Sequence, residues 1–129
     1  MLNIPDSLKY SLTHSWLDTQ TDGTIRVGIT DPAQARLGEI LFVELPRSGH
    51  TYASGEECGV LETINKNRDI FCPVDGKVID VNHALEENPE LINIDPYQSG
   101  WLFIIRPQAD LTGDELLNAE EYSKLIDQD

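Results

Sequence analysis

The chain has 129 residues, 40% of them hydrophobic and 25% charged, which is typical of one domain with a single core. Its formal net charge of −14 disfavours binding to nucleic acid or anionic membrane surfaces, and it allows docking to basic faces of partner proteins. No apolar run approaches membrane-spanning length, and the first residues lack the basic and apolar segments of a signal peptide. We therefore expect a cytoplasmic, monomeric protein in which residues 1–129 form one domain.

The first part of the chain has the hydrophobic patterning of β-strands. Tyr10–Asp18 alternates loosely and predicts a strand, and Asp22-Gly23 is a hairpin turn signal. Thr24–Ile29 follows, with apolar side chains at every second position, which places them on one face of a strand.

A short helix and a buried strand are predicted next. Asp31 is expected to cap the helix, with Pro32 at its first position, and Gly38 is expected to end it. Ile40–Leu45 is a continuous apolar run closed by Pro46, a pattern typical of a strand buried on both sides.

Two apolar runs flank a short polar segment in the middle of the chain. The runs, Gly59–Ile64 and Ile70–Val74, predict the arms of a β-hairpin with its tip at residues 64–69, because the asparagines and the aspartate between them favour turns. Lys66 is expected at or beside the apex, where its amine is exposed to other proteins. Such an amine suits a lysine that carries a cofactor on a swinging arm, although an ordinary exposed lysine is the more common case.

The rest of the chain predicts further strands and a terminal helix. The predicted elements are a strand at Lys77–Val81, a helical turn at His83–Glu87, an extended segment at Leu91–Ile94, a strand at Trp101–Arg106 and a C-terminal helix at about residues 113–127. Many short strands separated by turns indicate a small sandwich or barrel with that helix packed outside.

The sequence holds no pattern typical of an active site. The three histidines, His14, His50 and His83, are not at metal-ligand spacing, and neither a phosphate-binding glycine loop nor a nucleophile elbow is found. Cys58 and Cys72 lie in the hairpin arms and form no C-x-x-C pair, so we expect them to be small core side chains. By elimination, the sequence predicts a binding or carrier module.

Short motifs spread along nearly the whole chain are specific when taken together, although each alone is weak. They are Leu8-Lys9-Tyr10-Ser11, His14-Ser15-Trp16, Val27-Gly28-Ile29-Thr30-Asp31, Ala33-Gln34, Leu37-Gly38, Phe42-Val43-Glu44-Leu45-Pro46, Glu62-Thr63, Pro73-Val74-Asp75-Gly76, Val81-Asn82, Pro89-Glu90-Leu91-Ile92-Asn93, Pro96-Tyr97 and Gly100-Trp101. With these motifs the chain resembles the H-protein family of the glycine cleavage system.

The resemblance implies a fold and a role. The implied fold is mainly β, a lipoyl/biotinyl-type barrel-sandwich hybrid of two antiparallel sheets with short helices and a C-terminal helix. The implied role is to carry lipoate, amide-linked to a lysine at the hairpin tip by a lipoyl ligase or transferase. The arm takes an aminomethyl group from glycine decarboxylase (P protein) to aminomethyltransferase (T protein), and dihydrolipoamide dehydrogenase (L protein) reoxidises it.

At the hairpin the chain departs from the family's usual Glu-Ser-Val-Lys. It reads Glu62-Thr63-Ile64-Asn65, so Asn65 occupies the lipoyl-lysine position and cannot form the amide. Lys66, one residue later, is the candidate attachment site. A one-residue slip near a turn redirects a side chain, whereas positive φ angles at Asn65 and Asn67 would shift the turn and return Lys66 to the apex. The sequence leaves both outcomes open.

The resemblance also implies a cleft that receives the loaded arm. The family's usual His-Glu-Trp is His14-Ser15-Trp16 here, so Ser15 replaces a cleft carboxylate with a hydrogen-bonding group that brings no charge. A second acid that the family uses, Asp69, is retained. The expected cleft and hairpin residues are His14, Ser15, Ile64, Asn67 and Asp69.

Three alternatives to a lipoyl carrier stay open. The first is an H-like domain that keeps the fold without lipoate and acts as a docking or regulatory partner of the same enzymes, or of a lipoate-handling enzyme. The second is a biotin carrier, which also has its modified lysine at a hairpin tip. That lysine is typically flanked by methionines, and the only methionine here is Met1. An enzyme is disfavoured because no catalytic constellation is found.

Overall fold

The computed structural model describes residues 3–109 and 116–127, in which nine β-strands and four α-helices are found. The strands are β1 (Lys9–Tyr10), β2 (Ser15–Thr19), β3 (Ile25–Ile29), β4 (Phe42–Glu44), β5 (Thr51–Tyr52), β6 (Glu57–Glu62), β7 (Asn67–Phe71), β8 (Gly76–Val81) and β9 (Phe103–Pro107). The helices are α1 (Asp31–Leu37), α2 (Ala84–Glu87), α3 (Leu91–Ile94) and α4 (Ala119–Asp127). No helix within the described ranges has the length and apolar character needed to span a membrane.

The strands form two open antiparallel sheets. Sheet 1 has six strands in the order β1-β2-β3-β9-β8-β5, and sheet 2 has three in the order β4-β6-β7. All neighbouring strands pair antiparallel. The predicted fold class, mainly β with two antiparallel sheets, short helices and a C-terminal helix, is confirmed, and the sheets are not closed into a barrel.

Apolar residues from both sheets share one core. Val27 of β3, Val78 of β8 and Ile105 of β9 are fully buried, as expected for alternating strands with one covered face. Leu61 of β6 and Ile70 of β7 belong to the same buried cluster. The core therefore decides which face of the β6–β7 hairpin turns inward.

Strand β4 comes very close to β6 at Gly59. A Cβ atom on Gly59 would collide with the backbone carbonyl oxygen of Glu44 and would press on the side chain of Ile70. The register of β6 against β7 also shifts between Glu57 and Gly59, which marks a β-bulge at the base of the hairpin. Glycine is therefore needed for three strands to meet at this point.

Helix α1 is capped one residue earlier than the sequence indicated. Thr30, and not Asp31, is the N-cap, and its side chain accepts a hydrogen bond from the backbone N–H of Ala33. Threonine and aspartate are both good capping residues, so the local sequence does not decide between two adjacent ones. Gly38 ends the helix with φ 82°, as predicted, because glycine adopts this left-handed conformation without strain.

The prediction of a doubly buried strand at Ile40–Leu45 is wrong. Only Phe42–Glu44 forms a strand, β4, which lies at the edge of sheet 2. Val43 is buried while the Phe42 side chain is 54% exposed, because an edge strand with one covered face buries alternate residues only. An unbroken apolar run was therefore a poor guide to burial here.

The prediction of an extended segment at Leu91–Ile94 is also wrong, because these residues form α3. The helix brings Asn93 to the end of α1. The Asn93 side chain accepts a hydrogen bond from the Ile40 N–H and donates one to the Gly38 carbonyl, at 2.9 and 2.8 Å. Periodicity cannot separate a helix from a strand over four residues, and the tertiary contacts of Asn93 fix the outcome.

The C-terminal helix is shorter than predicted. Residues 113–115 lie outside the described residues, and α4 begins at Ala119. Asn118 and Glu121 exchange side chain-to-backbone hydrogen bonds, both at 2.9 Å, which is the capping box of an N-terminus. Tyr122 then stacks on Tyr10, with ring centroids 4.8 Å apart, and fixes the helix against sheet 1.

Replacing Gly59 with alanine tests the close approach of β4. Gly59→Ala should lower the free energy of unfolding by about 2–3 kcal/mol, because the added methyl group must displace backbone. Gly49→Ala is the matched control: Gly49 has φ 89° but nothing within 4 Å of an added Cβ, so only backbone strain is expected, at about 1 kcal/mol. Urea denaturation measures both, and equal losses would contradict the role given to close packing at Gly59.

Candidate functional site

The tip of the β6–β7 hairpin is a four-residue loop from Thr63 to Lys66. Glu62 of β6 pairs with Asn67 of β7. The Thr63 N–H donates to the Lys66 carbonyl at 2.9 Å, and the Lys66 N–H donates to the Thr63 hydroxyl at 3.2 Å. Ile64 and Asn65 are consequently the two central residues of the turn.

This geometry settles the register of the turn. Asn65 lies at the apex, and Lys66 is the first residue of the returning chain. Neither Asn65 nor Asn67 has a positive φ, so the turn does not shift to bring Lys66 to the apex. The predicted tip at residues 64–69 is wrong beyond Lys66, because Asn67–Phe71 is strand β7.

The side chain of Lys66 belongs to the inward-facing side of the hairpin. Paired residues of neighbouring strands point to the same side, and Leu61 pairs with Arg68 next to the Thr63–Lys66 closure. We call the side that carries Leu61, Lys66, Arg68 and Ile70 the inner face. The Lys66 amine donates to the backbone carbonyl of Arg36, at the last turn of α1, over 3.2 Å. The amine is exposed, but it lies against α1.

A cleft separates the inner face of the hairpin from α1 and from the turn before β2. Its enclosed part has room for little more than one water molecule, and the rest is an open mouth. It is lined by Thr13, His14, Ser15, Ile29, Ala33, Leu37, Leu61, Arg68, Asp69, Ile70 and Phe71. Three of the predicted site residues, His14, Ser15 and Asp69, are brought together here.

His14 is held in place by α4. Its φ of 69° is left-handed, which breaks the predicted strand Tyr10–Asp18 into β1 and β2 with a turn between them. A 2.9 Å hydrogen bond joins the His14 Nδ1 to the Tyr122 hydroxyl, and a second one of 2.7 Å joins that hydroxyl to Thr30, the N-cap of α1. One tyrosine therefore ties together the cleft wall, α1 and the last helix.

Ser15 lies deep in the cleft wall and is 3% exposed. Its backbone N–H donates to the Ser11 hydroxyl at 3.0 Å, which helps to shape the turn before β2. A serine hydroxyl can donate or accept a hydrogen bond, but it brings no charge to the cleft.

Asp69 lines the cleft, but its carboxylate interacts with Glu57. Asp69 pairs with Val60, which puts its side chain on the outer face of sheet 2. There the negative charge of Asp69, with some burial and a shared hydrogen bond, raises the pKa of the Glu57 carboxyl above its usual value. The Asp69 carboxylate therefore points away from the cleft and does not give it a negative charge.

The other two residues of the expected cleft and hairpin set, Ile64 and Asn67, do not line the cleft. Ile64 is 75% exposed at the turn, and Asn67 is an exposed residue of β7 on the side opposite to Lys66. Sequence reasoning missed Arg68, Tyr122 and Thr30. The alternation of β7 could have placed Arg68 beside Lys66, but no local pattern indicates Tyr122, because its partners are distant in sequence.

Cys58 and Cys72 are free and buried, as expected for small core side chains. The Cys72 thiol lies 3.2 Å from the Val74 carbonyl. A hydrogen bond with Cys72, together with burial, raises the pKa of the Cys58 thiol. Among the described residues no group of three or more histidine, cysteine or acidic side chains is placed to hold a metal ion.

An exposed lysine beside a hairpin turn, next to a partly apolar cleft, is the arrangement of a carrier domain. The comparisons with known proteins give the family. The chain belongs to the glycine cleavage H-protein family, whose model matches residues 8–129.

The relatives match along the whole chain. The glycine cleavage system H proteins of Shewanella sp. (strain W3-18-1) and Shewanella oneidensis are each 46% identical to it over 129 residues, which is all of both chains. The crystal structure of a glycine cleavage system H protein from Mycobacterium marinum superposes with a TM-score of 0.87 at 38% identity, covering 96% of this chain and 99% of that one. The predicted H-protein role in glycine cleavage, that of a carrier and not an enzyme, is confirmed.

Removing the Tyr122 hydroxyl should loosen the cleft wall. Tyr122→Phe loses the hydrogen bonds to His14 and Thr30, so we expect a loss of about 1–3 kcal/mol in the free energy of unfolding, measured with urea. Tyr10→Phe, in the same aromatic cluster, loses one hydrogen bond, which the Tyr10 hydroxyl donates to the Pro5 carbonyl at 2.6 Å, and should cost less. A larger loss in Tyr10→Phe would contradict the bridging role of Tyr122.

The repulsion between Glu57 and Asp69 predicts a pH-dependent effect. Because the folded-state pKa of Glu57 is raised, the native state loses stability as pH rises through that pKa, and no loss is present well below the unfolded value. Glu57→Gln should therefore raise the urea midpoint at neutral pH and have no effect at about pH 3, well below the ordinary glutamate pKa. Glu39→Gln, which removes an exposed charge outside sheet 2, is the control. A gain in Glu57→Gln that is the same at both pH values would count against the repulsion.

Proposed function

We propose that this chain carries lipoate on Lys66. With it the chain would pass an aminomethyl group from glycine decarboxylase to aminomethyltransferase, and dihydrolipoamide dehydrogenase would reoxidise the arm. Family membership supports the role, and the attachment at Lys66 is our inference from this chain's own residues.

The position of the Lys66 amine is the main support for attachment at this residue. Lys66 is the only lysine between β6 and β7, it is exposed, and it directly follows the two central residues of the turn. A lysine amine is the nucleophile that an amide link to an activated acyl group needs, whereas the Asn65 side chain has none. The residues at the tip therefore fit the group, one position away from the usual one.

The contact between Lys66 and α1 does not forbid modification. The amine makes one hydrogen bond to the Arg36 carbonyl, between exposed groups. Such a bond contributes about 1 kcal/mol, so a modifying enzyme that docks on the hairpin can release the amine at small cost. We expect the contact to slow attachment without preventing it.

The cleft would shelter the loaded arm after widening, because in this structure its enclosed part holds little more than one water molecule. When attached, the dithiolane supplies the sulfur that takes up and releases the one-carbon unit. Leu37, Leu61 and Ile70 give the cleft an apolar wall that excludes water, and Ser15 offers a hydroxyl inside it. Because Ser15 has no charge, shelter in this chain would depend on exclusion of water more than on charge pairing.

The surface around the tip suits protein partners. Leu41, Phe42 and Ile64 are exposed apolar residues near the tip, and Glu62 lies beside Phe42 across β4 and β6. Apolar side chains rimmed by acid favour partners with complementary apolar and basic groups. We propose that the P, T and L proteins and the lipoyl ligase or transferase dock here. The cytoplasmic location and the monomeric state remain predictions.

Lipoylation of the purified chain tests the proposal. Incubation with a lipoyl ligase, ATP and lipoate should add the mass of one lipoyl group, measured on the intact protein. Lys66→Ala should abolish the addition, and Lys124→Ala, which removes a lysine of α4, should leave it unchanged.

An exchange variant sets the reference rate. Asn65→Lys combined with Lys66→Asn moves the lysine to the family's usual position at the same net charge. We expect the exchanged chain to be modified faster, because its lysine lies at the apex and does not face α1. If the exchanged chain accepts lipoate and the natural chain does not, the proposal is wrong, and the natural chain is an H-like protein that works without the arm.

A further inference from the structure

The two cysteines of the chain lie on neighbouring stretches of backbone at the base of the β6–β7 hairpin. Cys58 is the extra residue of the β-bulge between Glu57 and Gly59, and Cys72 directly follows β7. The strand pairing continues past the end of β7, because the Cys72 N–H donates to the Glu56 carbonyl at 2.8 Å. Both cysteines are therefore held by the backbone at the end of the hairpin that is far from its tip.

Both side chains also turn into the same core. Cys58 and Cys72 are buried and belong to the cluster that contains Leu61 and Ile70. A β-bulge redirects the side chain of its extra residue, and here that side chain is turned inward. The two thiols share a hydrogen bond. Sulfur atoms in such contact can join in a disulfide after small movements of the two side chains.

The shared hydrogen bond makes the two thiols chemically unequal. It lowers the pKa of the Cys72 thiol, although burial acts in the opposite direction, and it raises the pKa of the Cys58 thiol. The thiolate is the nucleophile in thiol oxidation, so Cys72 is the cysteine that reacts first. Cys72 also lines an open groove together with Leu12 and Pro73, from which a small oxidant can approach.

We propose that Cys58 and Cys72 form a reversible disulfide when the chain meets a hydroperoxide such as hydrogen peroxide. The Cys72 thiolate attacks one peroxide oxygen, the O–O bond breaks, and Cys72 becomes a sulfenic acid. The departing hydroxide takes up the proton that Cys72 released and leaves as water. The Cys58 sulfur then attacks the Cys72 sulfur, the S–O bond breaks, and the hydroxyl group leaves as a second water with the Cys58 proton. One peroxide is thus reduced while two thiols are oxidised to one disulfide.

The disulfide joins β6 to the residue that follows β7. It holds the two arms of the hairpin together next to Ile70 and Phe71, which line the cleft. A cross-link of this kind stabilises a fold mainly by restricting the unfolded chain. The proposal does not depend on lipoylation, so it and the proposed function can fail separately.

Treatment of the reduced, unmodified chain with hydrogen peroxide tests the proposal. The intact monomer should lose the mass of two hydrogen atoms, and iodoacetamide added after unfolding should label neither cysteine. Peptide mapping should place the link between Cys58 and Cys72, and dithiothreitol should restore both thiols. The oxidised chain should have a higher urea midpoint than the reduced chain.

Two matched variants test which cysteine reacts first. Cys58→Ser keeps a hydroxyl that can donate to Cys72, so Cys72 should still be oxidised, and its sulfenic acid should be trapped with dimedone. Cys72→Ser leaves only the thiol whose pKa is raised, and it should give no dimedone adduct at the same peroxide concentration. Circular dichroism checks that both variants fold, and the mass of the natural chain remains decisive if one does not.

Three results would overturn the proposal. If the native chain keeps both thiols under conditions that oxidise it in urea, the cysteines are inert core side chains. Disulfide-linked dimers in place of an oxidised monomer would show that the two sulfurs do not meet. Equal dimedone labelling of Cys58→Ser and Cys72→Ser would contradict the order of reaction given to the two cysteines.

Discussion

The pairing register of the β6–β7 hairpin is the constraint on which the site depends. Leu61 and Ile70 are buried on the inner face, and a slip of one residue would turn both outward and put charged neighbours into the core. Each buried aliphatic side chain contributes about 1.5–3 kcal/mol, more than any preference of the turn residues. The core therefore fixes Asn65 at the apex and Lys66 on the inner face, whatever conformations the asparagines could adopt.

Much of the fold could be predicted because its information is local. Alternating residues such as Val27 and Val78 mark strands, and Gly38 marks the end of a helix. The wrong predictions concern segments whose local sequence fits two structures equally well, so that tertiary contacts decide between them. Phe42 is apolar but exposed because β4 is an edge strand, and Leu91–Ile94 is helical because Asn93 holds the end of α1. Neither contact has a signature in its own segment.

The candidate site shows the same division. The sequence identified the unusual residues at the tip and in the cleft, Asn65, Lys66 and Ser15, because each departs from a known motif. It could not show that the Lys66 amine meets the Arg36 carbonyl, or that the Asp69 carboxylate lies near Glu57, because these contacts depend on how the hairpin packs against its neighbours. The sequence alone shows which side chains the site contains, but it does not show where those side chains point.

The bridge made by Tyr122 has a consequence for the order in which the protein is built. The hydroxyl that holds His14 and Thr30 belongs to α4, and β9, which separates β3 from β8 in sheet 1, is the last strand within the described residues. A ribosome delivers both of these elements late. All the residues that line the cleft precede α4 in the chain, so both of its walls are synthesised early, but the hydroxyl that holds His14 and Thr30 in place is delivered only near the end of synthesis. The hairpin tip therefore emerges from the ribosome before the contact that fixes the geometry of the cleft wall beside it.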